Sequence, residues 1–200
     1  MQDSTSDLNL RIARRVRDLR AAAGLSLEAL ARQTAVSRSM ISLIERGECS
    51  PTAVVLDKLA AGLNVPLASL FADASESSGT PTGPVARLAD QPEWQDPASG
   101  YRRRSVSPAS RPQPMQITEI EFPPKARVAF ETGSRESRVY QQIWVLSGTI
   151  DVSIGSERHC LRAGDCLAMN LDSPTMFYNP TSKPARYAVV TAGETRARKR

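Results

Sequence analysis

The chain has 200 residues and a formal net charge of +5, with an isoelectric point near 9.4: enough length for two small domains and a mild bias toward acidic partners. It contains no run of about 18 apolar residues and opens on a polar, acidic stretch, so neither a membrane span nor a secretory signal is supported and a cytoplasmic protein is expected. Cys49, Cys160 and Cys166 are odd in number, widely placed and without CxxC spacing, which argues against a disulfide framework and against a zinc site.

Residues 1–7 are read as a disordered N-terminus and 8–73 as an all-α domain of five short helices. Ile12, Val16 and Leu19 recur at helical spacing, with Gly24 as a left-handed stop. Ser26 caps a second helix that turns Leu30 and Ala31 inward, and Ser37 caps a third with Ile41 and Ile44 inward and Gly47 at its end. Ser50 followed by Pro51 reads as the start of a fourth, carrying Val55, Leu59 and Leu63. Leu67, Leu70 and Phe71 form the last. Charge in this half is arranged rather than abundant: nine Lys/Arg stand against eight Asp/Glu in residues 1–73, with Arg11, Arg14, Arg15 and Arg17 grouped in the first helix.

The Ser, Thr, Gly and Pro of 74–84 read as a flexible linker. Afterwards the apolar period changes from 3.6 to 2. Lead-in strands over 85–114 precede an all-β unit over 115–192; within them Trp94, Tyr101 and the run Arg102 to Arg104 read as a strand packed on the barrel with its charges solvated, the alternative being an extra basic contact to DNA. Strands are expected at 101–106, 115–122, 127–131, 158–162, 166–170, 175–179 and 185–192, with a hairpin of Val139 to Leu146 and Ile150 to Ile154 around Gly148. Many short strands at close spacing favour a barrel or sandwich. Residues 193–200 form a basic tail ending in Arg196, Arg198, Lys199 and Arg200.

Only Ala35 and Val36 separate the second helix from the Ser37 cap of the third, so the two cross steeply and the third can enter a major groove. The run GLSLEALARQTAVSRSMISLIERGECSPTAVVLDKLAAGL resembles the helix-turn-helix of the XRE/lambdoid-repressor family over about residues 8–71, ISLIERG followed by SPT being its specific part. The resemblance places Arg38, Ser39 and Leu43, with Met40 and Ser42 beside them, toward base edges, where a guanidinium fork suits guanine and a leucine suits a thymine methyl. It places Ser26, Ser37, Arg46, Ser50 and Thr52 on phosphates and pairs Arg20 with Glu45 as an orienting ion pair. It implies a homodimer on pseudo-palindromic double-stranded DNA with half-sites about 34 Å apart. Leu27 stands where many relatives carry Gln, and Ala35 where Gly often makes the turn, which strains the backbone if a positive φ is kept.

The segment VYQQIWVLSGTIDVSIGSERHCLRAGDCLAMN, then SPTMFYN, resembles the two motifs of a cupin, implying an RmlC-like jelly-roll barrel. Functional cupins hold a metal with histidines and a glutamate. The matching positions here are Gln141, seven residues before Gly148, and Thr175, four before Asn179, while the stretch Ser134 to Ser137 has no histidine; His159, the only one in the chain, lies elsewhere. No metal, no cofactor and no catalytic residue is therefore expected. Alternation puts Gln141, Ile143 and Val145 on one side with Thr175, Phe177 and Tyr187, an apolar pocket with a few polar anchors, and Arg135 or Arg138 at its mouth can hold a carboxylate. The expected protein is a sequence-specific transcriptional regulator whose metal-free barrel senses a small organic effector, such as an amino acid or other carboxylate. Two alternatives stay open: a barrel used only as a dimerising scaffold, and a cupin-type isomerase or dioxygenase tethered to DNA.

Overall fold

The structure, a computed structural model, describes residues 3–71, 83–108, 115–131 and 139–193. The expected linker over 74–84, the tail from 194 onward, and Arg135 and Arg138 lie wholly or largely outside the described residues. The N-terminal half contains four α-helices, α1 (Asp3–Ala22), α2 (Leu27–Thr34), α3 (Arg38–Glu45) and α4 (Ala53–Gly62), and a 3-10 turn at Leu67–Phe71 in place of a fifth α-helix. Helix α1 is described from Asp3, and no Gly or Pro interrupts the chain before Gly24. Leu8, Ile12, Val16, Leu30, Ile41, Ile44, Leu56, Leu59, Ala60 and Leu63 close the core.

The starts of α2, α3 and α4 are each made by a hydroxyl. Ser26 accepts from the Ala29 N–H at 3.1 Å and Ser37 from the Met40 N–H at 3.2 Å. The start of α4 differs from the sequence expectation: its N-cap is Thr52, which accepts from the Val55 N–H, and Ser50 and Pro51 lie in the preceding loop. The first N–H of that helix, at Ala53, is satisfied from far away in sequence, by Asp96 Oδ1 at 2.8 Å.

Ala35 ends α2 in the left-handed region, at φ 53 and ψ 24. A β-carbon there meets the following carbonyl, and the exposed site offers no compensating contact. Ala35→Gly is expected to raise the stability of the domain by about 1 kcal/mol, read as a higher midpoint in urea; an unchanged or lower midpoint would show that the turn carries no strain.

The C-terminal half is a two-sheet antiparallel barrel. Its strands are β1 (Glu93–Gln95), β2 (Arg102–Ser105), β3 (Met115–Phe122), β4 (Arg127–Phe130), β5 (Val139–Ser147), β6 (Thr149–Ile154), β7 (Glu157–Arg162), β8 (Cys166–Asn170), β9 (Thr175–Tyr178) and β10 (Ala185–Gly193). One sheet has the order β1-β2-β3-β10-β5-β8 and the other β4-β9-β6-β7. The hairpin between β5 and β6 turns at Gly148, φ 80, where a β-carbon would stand 2.7 Å from the Pro184 carbonyl oxygen, so only glycine fits.

Register decides what each strand buries. Arg102 pairs with Glu121 and Arg104 with Glu119, while Arg103 pairs with Trp94 on one side and Ile120 on the other. Arg102 and Arg104 therefore face outward into ion pairs with Glu121, Glu93 and Glu119, and Arg103 points inward, 7% exposed. The expectation that this run is solvated is thus corrected at its middle residue.

Buried side chains of the two halves form one continuous core. Rings run through it in a row from Phe71 to Trp94 (centroids 5.5 Å apart), Tyr101 (5.8 Å), Phe122 (5.7 Å), Tyr187 (6.3 Å), Phe177 (6.0 Å) and Phe130 (5.9 Å). Lys58 of α4 also reaches Glu131 beyond β4 at 3.2 Å.

Candidate functional site

Helix α3 presents Arg38, Ser39 and Met40 to solvent at its first turn, with Ser42 and Leu43 half-buried behind them. Ile41 and Ile44 on the opposite side anchor it, at 0 and 1% exposure, so the outward row is fixed by the inward one. Ser37 and Ser39 share a hydrogen bond at 3.1 Å. Arg38 has no hydrogen-bond or ion-pair partner among the described residues, which leaves its donor fork free for another molecule.

The remaining polar residues expected on this surface are placed less uniformly. Ser26 and Thr52 are committed to helix caps. Ser50 Oγ donates weakly to Asn9 Oδ1 at 3.4 Å. Arg46 is half exposed and already engaged, donating to Glu48 Oε1 at 2.6 Å, Glu48 Oε2 at 2.9 Å and Ser42 Oγ at 2.5 Å. This contact raises the Arg46 pKa and lowers that of Glu48. A phosphate at Arg46 would have to exchange with Glu48.

Behind α3, Arg20 donates through Nε and Nη2 to the two oxygens of Glu45 at 2.6 and 2.7 Å, and through Nη1 to the Leu25 carbonyl at 2.8 Å. Arg17 donates to the Glu45 carbonyl at 2.7 Å. The Arg20 and Glu45 side chains are only 17% and 8% exposed, so the first helix clamps the end of the third through a fork pair with little water access. The hydrogen bonds that Arg20 donates to Glu45 raise the Arg20 pKa.

The barrel and the helical half together line a cavity of about 60 Å³. Gln141, Thr175, Phe177 and Tyr187, four of the expected pocket residues, line it. Ile143 and Val145 do not: both face inward, but they are packed into the core at 0 and 1% exposure. Residues missed from sequence complete the wall: Tyr101, Arg103, Ile120, Phe122, Phe130, Leu171 and Val189 from the barrel half, and Asp57 and Leu67 from the helical half. The cavity therefore lies where the two halves meet.

Gln141 Nε2 donates to Thr191 Oγ1 at 3.4 Å, and Thr175 Oγ1 to the Ser173 carbonyl at 3.1 Å. Neither is a strong metal donor, and among the described residues no group of three or more His, Cys, Asp or Glu is placed to hold a metal ion. Asn179, fully buried, spends its side chain on the Phe122 and Lys183 carbonyls and on Thr181, so its role in the motif is to close a turn. Cys160 is held as a thiol, its pKa raised by a hydrogen bond with Asp151 and by burial, the opposite of a reactive setting. No helix among the described residues is long and apolar enough to cross a membrane.

Residues 11–70 match the profile of the family described as "Helix-turn-helix domain". The chain is 27% identical over 177 residues to the HTH-type transcriptional regulator SutR of Escherichia coli (strain K12), covering 82% of this chain and 84% of that one. It superposes on the crystal structure of an HTH_3 family transcriptional regulator from Vibrio cholerae with a TM-score of 0.73 and 25% identity, over 94% of this chain and 98% of the other. The likeness spans both halves and not the helices alone. Taken with the two capped helices α2 and α3 joined through Ala35 to Ser37, it makes this chain a DNA-binding helix-turn-helix transcriptional regulator whose C-terminal half is a two-sheet barrel.

Proposed function

We propose that α3 reads base edges in a major groove, that two copies of the chain act together on a pseudo-palindromic site, and that the barrel is a sensor rather than an enzyme. The observation that carries the base-reading role is the unengaged guanidinium of Arg38 at the exposed start of α3, beside Ser39 and Met40. Caps at Ser26, Ser37 and Thr52 orient helix N-termini that suit phosphate oxygens. Binding-site selection tests the assignment. Arg38→Ala is expected to erase preference at one base position per half-site, a loss of about 1–3 kcal/mol there, whereas Arg46→Ala weakens all sequences alike; an unchanged motif in the Arg38 variant refutes the role.

Support for pairing comes from the outer face of the larger sheet. Met115, Ile117, Tyr140 and Trp144 are 52, 39, 43 and 52% exposed, and strand register sets them around Ala188, Val190 and Ala192. Such a contiguous apolar area suits a second copy of the chain. The non-enzymatic reading rests on Gln141 and Thr175 at the positions where metal-holding cupins place ligands; stoichiometric iron, manganese or zinc in purified protein would overturn it. A cavity shared by the DNA-binding half and the barrel supports sensing, since a molecule seated there touches both.

A further inference from the structure

Arg103 is an inward-facing cation in apolar surroundings, with hydrogen-bonding capacity to spare. Its Nη2 donates to Thr118 Oγ1 at 2.9 Å, and its Cζ lies 4.9 Å from the centre of the Phe71 ring. Its Nε is buried without an acceptor. Neither contact supplies a negative charge. The carboxylates nearest in strand register, Glu119 and Glu121, are on the outer face, held by Arg104, Arg186 and Arg102. Asp57, the other charged group on the cavity wall, has interactions of its own. Burial pushes the Arg103 pKa down, yet a guanidinium keeps its proton in proteins, so the positive charge stays.

We propose that Arg103 anchors a binding site for a small monocarboxylate with a compact apolar body, seated at the junction of the DNA-binding half and the barrel. This rests on reading the barrel as a sensor and adds the ligand class and its anchor. One uncompensated cation calls for one negative charge, and the donors of this guanidinium that have no acceptor match the oxygens of a carboxylate. The rest of the wall, Tyr101, Phe122, Phe177 and Tyr187 among it, offers aromatic surface for the remainder of the molecule. A cavity of about 60 Å³ corresponds to about five water sites, which limits the ligand to a handful of non-hydrogen atoms. Leu67 lines the same space and Phe71 covers the guanidinium, so filling the site bears directly on the last turn of the DNA-binding half.

The test uses the full chain with propionate and butyrate against the neutral propionamide and butyramide, at matched ionic strength. The two acids at about 20 mM are expected to raise Tm by about 3 °C and the amides to leave it unchanged. Arg103→Met, which removes a buried charge, is expected to keep or raise the ligand-free Tm and to lose the response. Titration of the Arg103 Nε–H resonance by butyrate in the unmodified protein provides a readout independent of any variant. Equal stabilisation by acid and amide, an undiminished response in Arg103→Met, or no response to either acid would each overturn the inference. Sensing is judged separately: if butyrate binds through Arg103 but leaves operator affinity unchanged, the site stands and the sensor reading falls.

Discussion

Glu45→Ala is expected to lower the unfolding free energy by about 3 kcal/mol and to weaken binding to every DNA sequence. Removing the carboxylate strands the Arg20 guanidinium at a site where its side chain is only 17% exposed, with the Leu25 carbonyl as its one remaining acceptor. The cost comes from the orphaned charge and not from the attraction that is lost. The double variant Arg20→Met, Glu45→Leu should therefore recover most of the stability, because the buried volume is kept and no charge is left unpaired. Urea unfolding of the three proteins measures both statements; a double variant as unstable as Glu45→Ala would show that the pair holds the fold by more than charge balance.

The second large effect is expected at Asp96, a residue of the barrel half that serves the helical half. It is 2% exposed; Oδ1 accepts from the Ala53 N–H at 2.8 Å, and Oδ2 accepts from the Ser99 N–H at 2.8 Å and the Ser99 hydroxyl at 2.5 Å. Its charge also sits at the start of α4, where the helix dipole favours it. Asp96→Ala leaves a buried N–H without an acceptor and should cost about 3 kcal/mol. Asp96→Asn keeps the acceptor and should cost about 1 kcal/mol. The change should also separate one unfolding transition into two, visible by calorimetry. A single transition at unchanged temperature in Asp96→Ala would show that the contact is idle.

Much of this architecture was legible because local signals agreed with one another. Ser26 and Ser37 are caps in the sequence and in the structure, and the strands from β3 to β10 are bounded by the Gly, Pro, Asp and Ser residues that mark their ends. Residues whose role depends on distant partners were not legible. Three arginines in a row read as a solvated stretch, and only the pairing of β2 with β3 and β1 reveals that the middle one is buried. Thr52 displaces Ser50 as the cap of α4 because the neighbouring N–H is answered by Asp96, 43 positions further along. For Ile143 and Val145, alternation gave the correct face but not the depth, which decides between core filling and cavity wall. Strand β1, three residues long, carries too few positions to show a period at all.

The row of rings from Phe71 to Phe130 bears on how such proteins can be recombined. Grafting these helices onto a foreign sensor would strip Phe71 of Trp94 and leave the amide of Ala53 without its acceptor, so the graft must carry the segment 93–103 with the helices. The natural unit of exchange is the DNA-reading half plus the first two strands of its neighbour, and a hybrid cut at the Ser- and Thr-rich stretch before them should express as an unstable protein.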